Sequence, residues 1–332
     1  MRHMGPGRTA AWCGVLGLGL TLACLTMRPR PPLPPSLGPG AADYAYDAVL
    51  SRTLGEGAQA LTVFYPDGVR ARRPLPVVVF FHAYQGIPDA FYGAWITHLV
   101  RRGHMVLYPV WQWVGSLPEE FADNATAALE LGLAWLPESG IPVDLGRVAF
   151  LGHSAGGVLA LNLTVRSARA ELGLRPAALM LLAPGRKFPN DLSPELRVES
   201  AAELPANLNL VVMDFEEDTT VERDLALTLF QNATAVPRKQ RTFLRVRSDP
   251  YGTPGLKADH HAPTAPKVQV PLGFVTDALD IMGSWRIADA LLSCTFEGLF
   301  CDVALGEGHS QKDMGRWSDG TPVKPMLNDW EL

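Results

Sequence analysis

Residues 147–157, RVAFLGHSAGG, and the segment VLALNLTVRS that follows them limit the possible folds more than any other part of the chain. Residues 147–151 read as a short buried strand, 152–157 as a tight turn of small residues, and 158–167 as a helix. A chain that passes straight from strand to helix through a serine needs small residues two positions either side of it. The strained backbone there brings strand and helix too close for a larger side chain. Gly152, Gly156 and Gly157 meet that need, which makes Ser154 a candidate nucleophile at a strand end. The marks of a phosphate-binding loop are missing: no Lys follows in Walker spacing, and no Gly-x-Gly-x-x-Gly is present.

The same strand-helix alternation runs through the chain. Residues 61–65 and 76–81 read as strands, and the second contains VVVFF, apolar on both faces as a central strand of a parallel sheet must be. Further strands are expected at 105–109, 177–182, 208–213 and 241–246, and helices at 90–102, 121–136, 221–232 and 274–292. The pattern predicts an α/β fold with a doubly wound, mostly parallel sheet and helices on both faces. About 25 residues separate the strands expected at 177–182 and 208–213, too few for a large helical lid.

The chain has 332 residues, 47% apolar and 19% charged, which suits one large catalytic domain with a short appendage. From residue 41 onward 34 acidic side chains face 25 basic ones, a formal excess of nine negative charges that argues against a nucleic-acid partner. Arg2, His3 and Arg8 precede an uncharged stretch at 10–27, so residues 1–27 read as a signal peptide or membrane anchor. Eighteen uncharged residues lie between a long signal core and a short span, which leaves cleaved, anchored and lipidated forms open. Thr21-Leu22-Ala23-Cys24 is similar to a bacterial lipoprotein box. Residues 28–40, RPRPPLPPSLGPG, read as a proline-rich, semi-rigid linker, and 41–332 as the catalytic domain. The expected location is therefore exported: periplasmic, extracellular or membrane-anchored. Outside the leader only Cys294 and Cys301 remain. Within an unbroken helix they would lie about 10 Å apart, so a disulfide requires a break near Gly298.

With these features the chain resembles the α/β-hydrolase superfamily, in its esterase branch of dienelactone hydrolases, platelet-activating-factor acetylhydrolases and cutinase-like polyester hydrolases. The resemblance spans roughly residues 60–265 and rests on FYPDG, PLPVVVFFHAYQG, LGHSAGG, FEED and DHHAP. It implies a Ser, acid, His order along the chain, because serine needs a histidine base and a carboxylate to orient that base. The implied acid is Asp218, with Asp214, Glu216 and Glu217 as rivals in the same loop. Chain order leaves His260 and His261 as bases, and the DHHAP segment implies His260, with His309 a remote third. The implied oxyanion donors are the N–H groups of Ala155 and Tyr84, with Ala83 as fallback, since this chain has His82-Ala83 where the family usually has His-Gly. His82 reads as a packed neighbour. Trp111 and Trp113, beyond a strand end, are expected to line the site mouth and bind substrate.

The resulting expectation is a serine carboxylesterase acting on small-molecule or lipid-like esters, without metal or organic cofactor. Acyl transfer to a cell-envelope acceptor uses the same triad and differs in excluding water. A non-catalytic binding domain on a hydrolase fold is the alternative of another class, and retention of all three triad residue types in order speaks against it.

Overall fold

The computed structural model describes residues 28–69, 73–86, 91–188, 195–267, 274–329 and 331; the leader expected at 1–27 lies outside the described residues. Among the described residues nine strands form one sheet: β1 (Val49–Leu54), β2 (Leu61–Pro66), β3 (Leu75–Phe81), β4 (Met105–Pro109), β5 (Val143–His153), β6 (Ala178–Leu182), β7 (Asn209–Phe215), β8 (Arg241–Val246) and β9 (Leu327–Asn328). Their order is β1-β2-β4-β3-β5-β6-β7-β8-β9. From β4 to β8 every pairing is parallel, while β1, β2 and β9 attach antiparallel at the two sides. The fold is thus the expected mostly parallel α/β sheet.

Alternation along β3 shows why the sheet sits between two helical layers. Val77, Val79 and Phe81 enter one apolar cluster with α2 (Phe121–Ser139), α3 (Ala155–Ala168) and α4 (Leu225–Asn232). Val78 and Phe80 enter the other, with α1 (Gly93–Arg101) and α5 (Arg286–Glu297). All five are fully buried. Each such side chain contributes about 1.5–3 kcal/mol through burial, so β3 anchors both layers and holds its C-terminal end in place.

The expected elements differ mainly at their ends. The helix expected at 221–232 begins only at Leu225, because the Asp218 carboxylate accepts the N–H groups of Thr220 and Val221 and turns the chain first. The helix expected from 274 starts late for a related reason: Asp277 Oδ1 accepts the Leu279 N–H, and Asp280 Oδ2 accepts the Asp277 N–H. A π-helical turn at Asp280–Trp285 then leads into α5. That helix ends at Gly298, in the left-handed region at φ 71°, and the turn lets Cys294 and Cys301 form a disulfide across a Cα separation of 4.8 Å.

Residues 28–40 lie along the domain: Thr253 donates to the Pro29 carbonyl, and Arg30 and Ser318 exchange hydrogen bonds. The C-terminal stretch covers the β8 edge through β9 and two short helices, α6 (Cys301–Ala304) and α7 (His309–Lys312). It is pinned by the buried Arg286, which donates to the carbonyls of Ser310, Gln311 and Asp313. Among the described residues no helix is long and apolar enough to cross a membrane.

Candidate active site

β5 ends at His153 and α3 begins at Ala155, so Ser154 alone makes the turn, with φ 58° and ψ −126°. A non-glycine residue held there costs about 1–3 kcal/mol. The surrounding backbone enforces it: the Ser154 N–H donates to the Leu182 carbonyl at 2.9 Å, and its carbonyl accepts from Gly157 at 2.9 Å and Gly185 at 3.1 Å. Glycine at 152 is a steric requirement, since a Cβ there would lie 2.2 Å from the Gly156 carbonyl oxygen.

Two loops bring the partners of Ser154. Asp218 follows β7, and His260 lies in the excursion after β8. Nδ1 of His260 is 2.7 Å from Asp218 Oδ2, and Nε2 is 3.0 Å from Ser154 Oγ. The carboxylate accepts, so Nδ1 carries the ring proton and Nε2 presents its lone pair to the serine hydroxyl. Both the His260 and the Asp218 side chain are buried. The rival carboxylates are committed elsewhere or exposed. Asp214 takes a bidentate pair from Arg245, Glu216 accepts the Ser248 N–H, and Glu217 faces solvent. His261 stands beside the base on the cavity wall with its ring edge-on to Phe274; burial, then the neighbouring His260, lowers its pKa.

Ser154 opens into a cavity of about 440 Å³ whose walls, among the described residues, include Tyr84, Phe91, Phe188, His261 and Phe274. Ala155 and the 83–86 turn line the same cavity. Ala155 is the first residue of α3, where an N–H has no partner within the helix. In the turn, the Ala83 N–H is taken by Tyr92 Oη at 3.1 Å, which removes the fallback donor. No acceptor among the described residues takes the Tyr84 N–H. A larger cavity, about 770 Å³, opens at the opposite end of the sheet beside Arg102, Arg147 and Asp289, away from the triad.

Trp111 is not at the site mouth. It is fully buried, with its ring stacked on His82 at 4.7 Å and tilted against Phe121 at 4.8 Å, because the chain after β4 turns inward before it reaches the rim. His82 is stacked on Tyr108 as well, and burial pushes its pKa down to about 4, so it is neutral. Trp113 is 62% exposed and lines a second cavity of about 400 Å³ that shares Tyr84, Gln85 and Gly86 with the first. Sequence patterns did not mark Phe91, Phe188 and Phe274 as cavity walls, since the helices expected at 90–102 and 274–292 give Phe91 and Phe274 only a helical position, nor Tyr92, the residue that precedes α1.

Residues 108–237 match a family model described as the alpha/beta hydrolase fold. The chain has the α/β-hydrolase fold. The matched segment runs from β4 to just before β8, and so contains the elbow and the acid loop. A solved structure of carboxyl esterase 2 from the mycorrhizal fungus Tuber melanosporum is similar, with a TM-score of 0.48 and 18% identity over 62% of this chain and 78% of that one. A search of curated protein sequences finds no match.

Proposed function

We propose that this α/β-hydrolase cleaves carboxylic esters through an acyl-enzyme on Ser154. The observation that carries the reading is the continuous relay from Asp218 Oδ2 through His260 to Ser154 Oγ, at 2.7 and 3.0 Å, facing a cavity walled by aromatic rings. His260 Nε2 removes the hydroxyl proton as Oγ attacks the ester carbonyl, and the Ala155 and Tyr84 N–H groups stabilise the oxyanion. His260 then protonates the departing alcohol, and a water activated by the same nitrogen releases the acid. Asp218 holds the imidazole in the tautomer these steps need. The chemistry requires no metal or organic cofactor.

The aromatic walls favour an apolar acyl or alcohol group. An exported location, in the envelope or beyond, fits both the leader pattern and the Cys294–Cys301 disulfide, which persists in oxidising compartments. Hydrolysis of p-nitrophenyl esters from acetate to palmitate tests the reading. Turnover that falls by roughly 10⁴-fold or more in both Ser154→Ala and His260→Ala is expected. Turnover that survives either substitution contradicts it.

A further inference from the structure

The proposed oxyanion donors come from two segments far apart in the chain, the 83–86 turn and the Ser154 elbow, and one hydroxyl joins them. The fully buried Tyr92 accepts the Ala83 N–H at Oη, 3.1 Å away, and the same oxygen lies 2.7 Å from Nδ1 of His153. With the Oη proton directed to Nδ1, His153 carries its ring proton on Nε2. Burial keeps both groups in these neutral forms. It raises the Tyr92 pKa, and with the neighbouring His260 and His261 it holds His153 well below the usual histidine range. His153 also packs on the base, with its ring centroid 4.9 Å from that of His260.

We propose that Tyr92 is a positioning residue for the oxyanion hole, tying the Ala83 amide to the His153 side chain and thereby setting the spacing between the Tyr84 and Ala155 N–H groups. The inference rests on the serine-hydrolase reading of Ser154. Its physical basis is that fixed donors stabilise a developing oxyanion only where they are held, and a displacement near 1 Å can cost on the order of 100-fold in rate. Among the described residues Tyr92 makes no hydrogen bond to Ser154 or His260, and it acts through the backbone it holds.

The test compares wild type with Tyr92→Phe on p-nitrophenyl butyrate, with active sites titrated by a fluorophosphonate. The expected result is a loss of at least tenfold in kcat per titrated site with KM within twofold, and a matching loss of affinity for an alkyl boronic acid that forms a tetrahedral adduct. A packing role alone would lower the melting temperature and the titrated fraction but leave kcat per site within twofold, and that result overturns the proposal. His153→Leu should reproduce the loss, His153→Asn, which keeps an acceptor near the position of Nδ1, should restore most of it, and Tyr92→Phe/His153→Leu should be no worse than either single change. Equal values for His153→Leu and His153→Asn, or losses that multiply in the double variant, also overturn it. If Tyr92→Phe does not fold, the two His153 variants decide. Absence of Ser154-dependent turnover in wild type would instead overturn the serine-hydrolase reading, and this inference with it.

Discussion

Gly156, in the first turn of the nucleophile helix, is pressed against Phe81 at the end of the central strand: a Cβ on Gly156 would lie 2.2 Å from the Phe81 carbonyl oxygen. The His82 carbonyl oxygen would be equally near, so neither neighbour is a side chain that could swing aside. Gly156→Ala is therefore expected to destabilise the domain by at least about 3 kcal/mol and to displace Ser154, measured as the urea midpoint and as loss of ester turnover. A stable, active Gly156→Ala protein would contradict the elbow geometry.

Two of the four acidic residues at 214–218, Asp218 and Asp214, separate function from stability. Asp218→Asn keeps the shape but favours the wrong His260 tautomer, and should lower kcat by roughly 10³–10⁴-fold with little change in melting temperature. Asp214→Asn breaks the pair with Arg245 instead, and should cost roughly 3 kcal/mol of stability while kcat stays within a fewfold of wild type. Steady-state kinetics and thermal melts on the same two proteins distinguish them.

Trp113 offers a route to acyl selectivity. Its ring lines the cavity that meets the Ser154 cavity at Tyr84, so substrates long enough to pass Tyr84 should use it. Trp113→Ala is expected to lower kcat/KM for octanoate and longer p-nitrophenyl esters by about tenfold, or 1.4 kcal/mol, and to leave the acetate ester nearly unchanged. A uniform loss across the series would remove Trp113 from substrate binding.

Acid should weaken the fold partly through His82. Its folded pKa of about 4 lies below the ordinary 6.5, so its contribution is full above pH 6.5 and is lost as pH falls toward 4, by about 3 kcal/mol in total. His153 acts in the same direction, whereas Asp280, whose pKa burial raises, acts in the opposite one. Wild type and His82→Asn should therefore be compared directly: between pH 7.5 and 4.5 the variant is expected to lose about 2–3 kcal/mol less in urea unfolding. Parallel pH profiles would show that His82 does not couple to folding.

The sheet and elbow were legible in the sequence because each rests on local pattern. VVVFF, short and β-branched, reads as a strand buried on both faces, and three glycines around Ser154 answer a short-range steric need. Asp218 and His260 required more, namely the chain order of a resembling family, since nothing near Asp218 in sequence sets it apart from Asp214; their partners, His260 and Arg245, arrive from distant segments. Trp111 misled because exposure at a strand end depends on where the following chain turns. The bridge from Ala83 through Tyr92 to His153 joins three points with no shared periodicity, and only the fold brings them together.

If Ser154 is the nucleophile, it forms a covalent acyl-type adduct. Intact-protein and peptide mass spectrometry after exposure of the protein to a fluorophosphonate detects that adduct and locates it. The expected result is one adduct per chain, mapped to the peptide containing Ser154, absent in Ser154→Ala and slowed strongly in His260→Ala. A folded wild type that takes up no label, or carries it on another residue, would show that Ser154 is not the nucleophile.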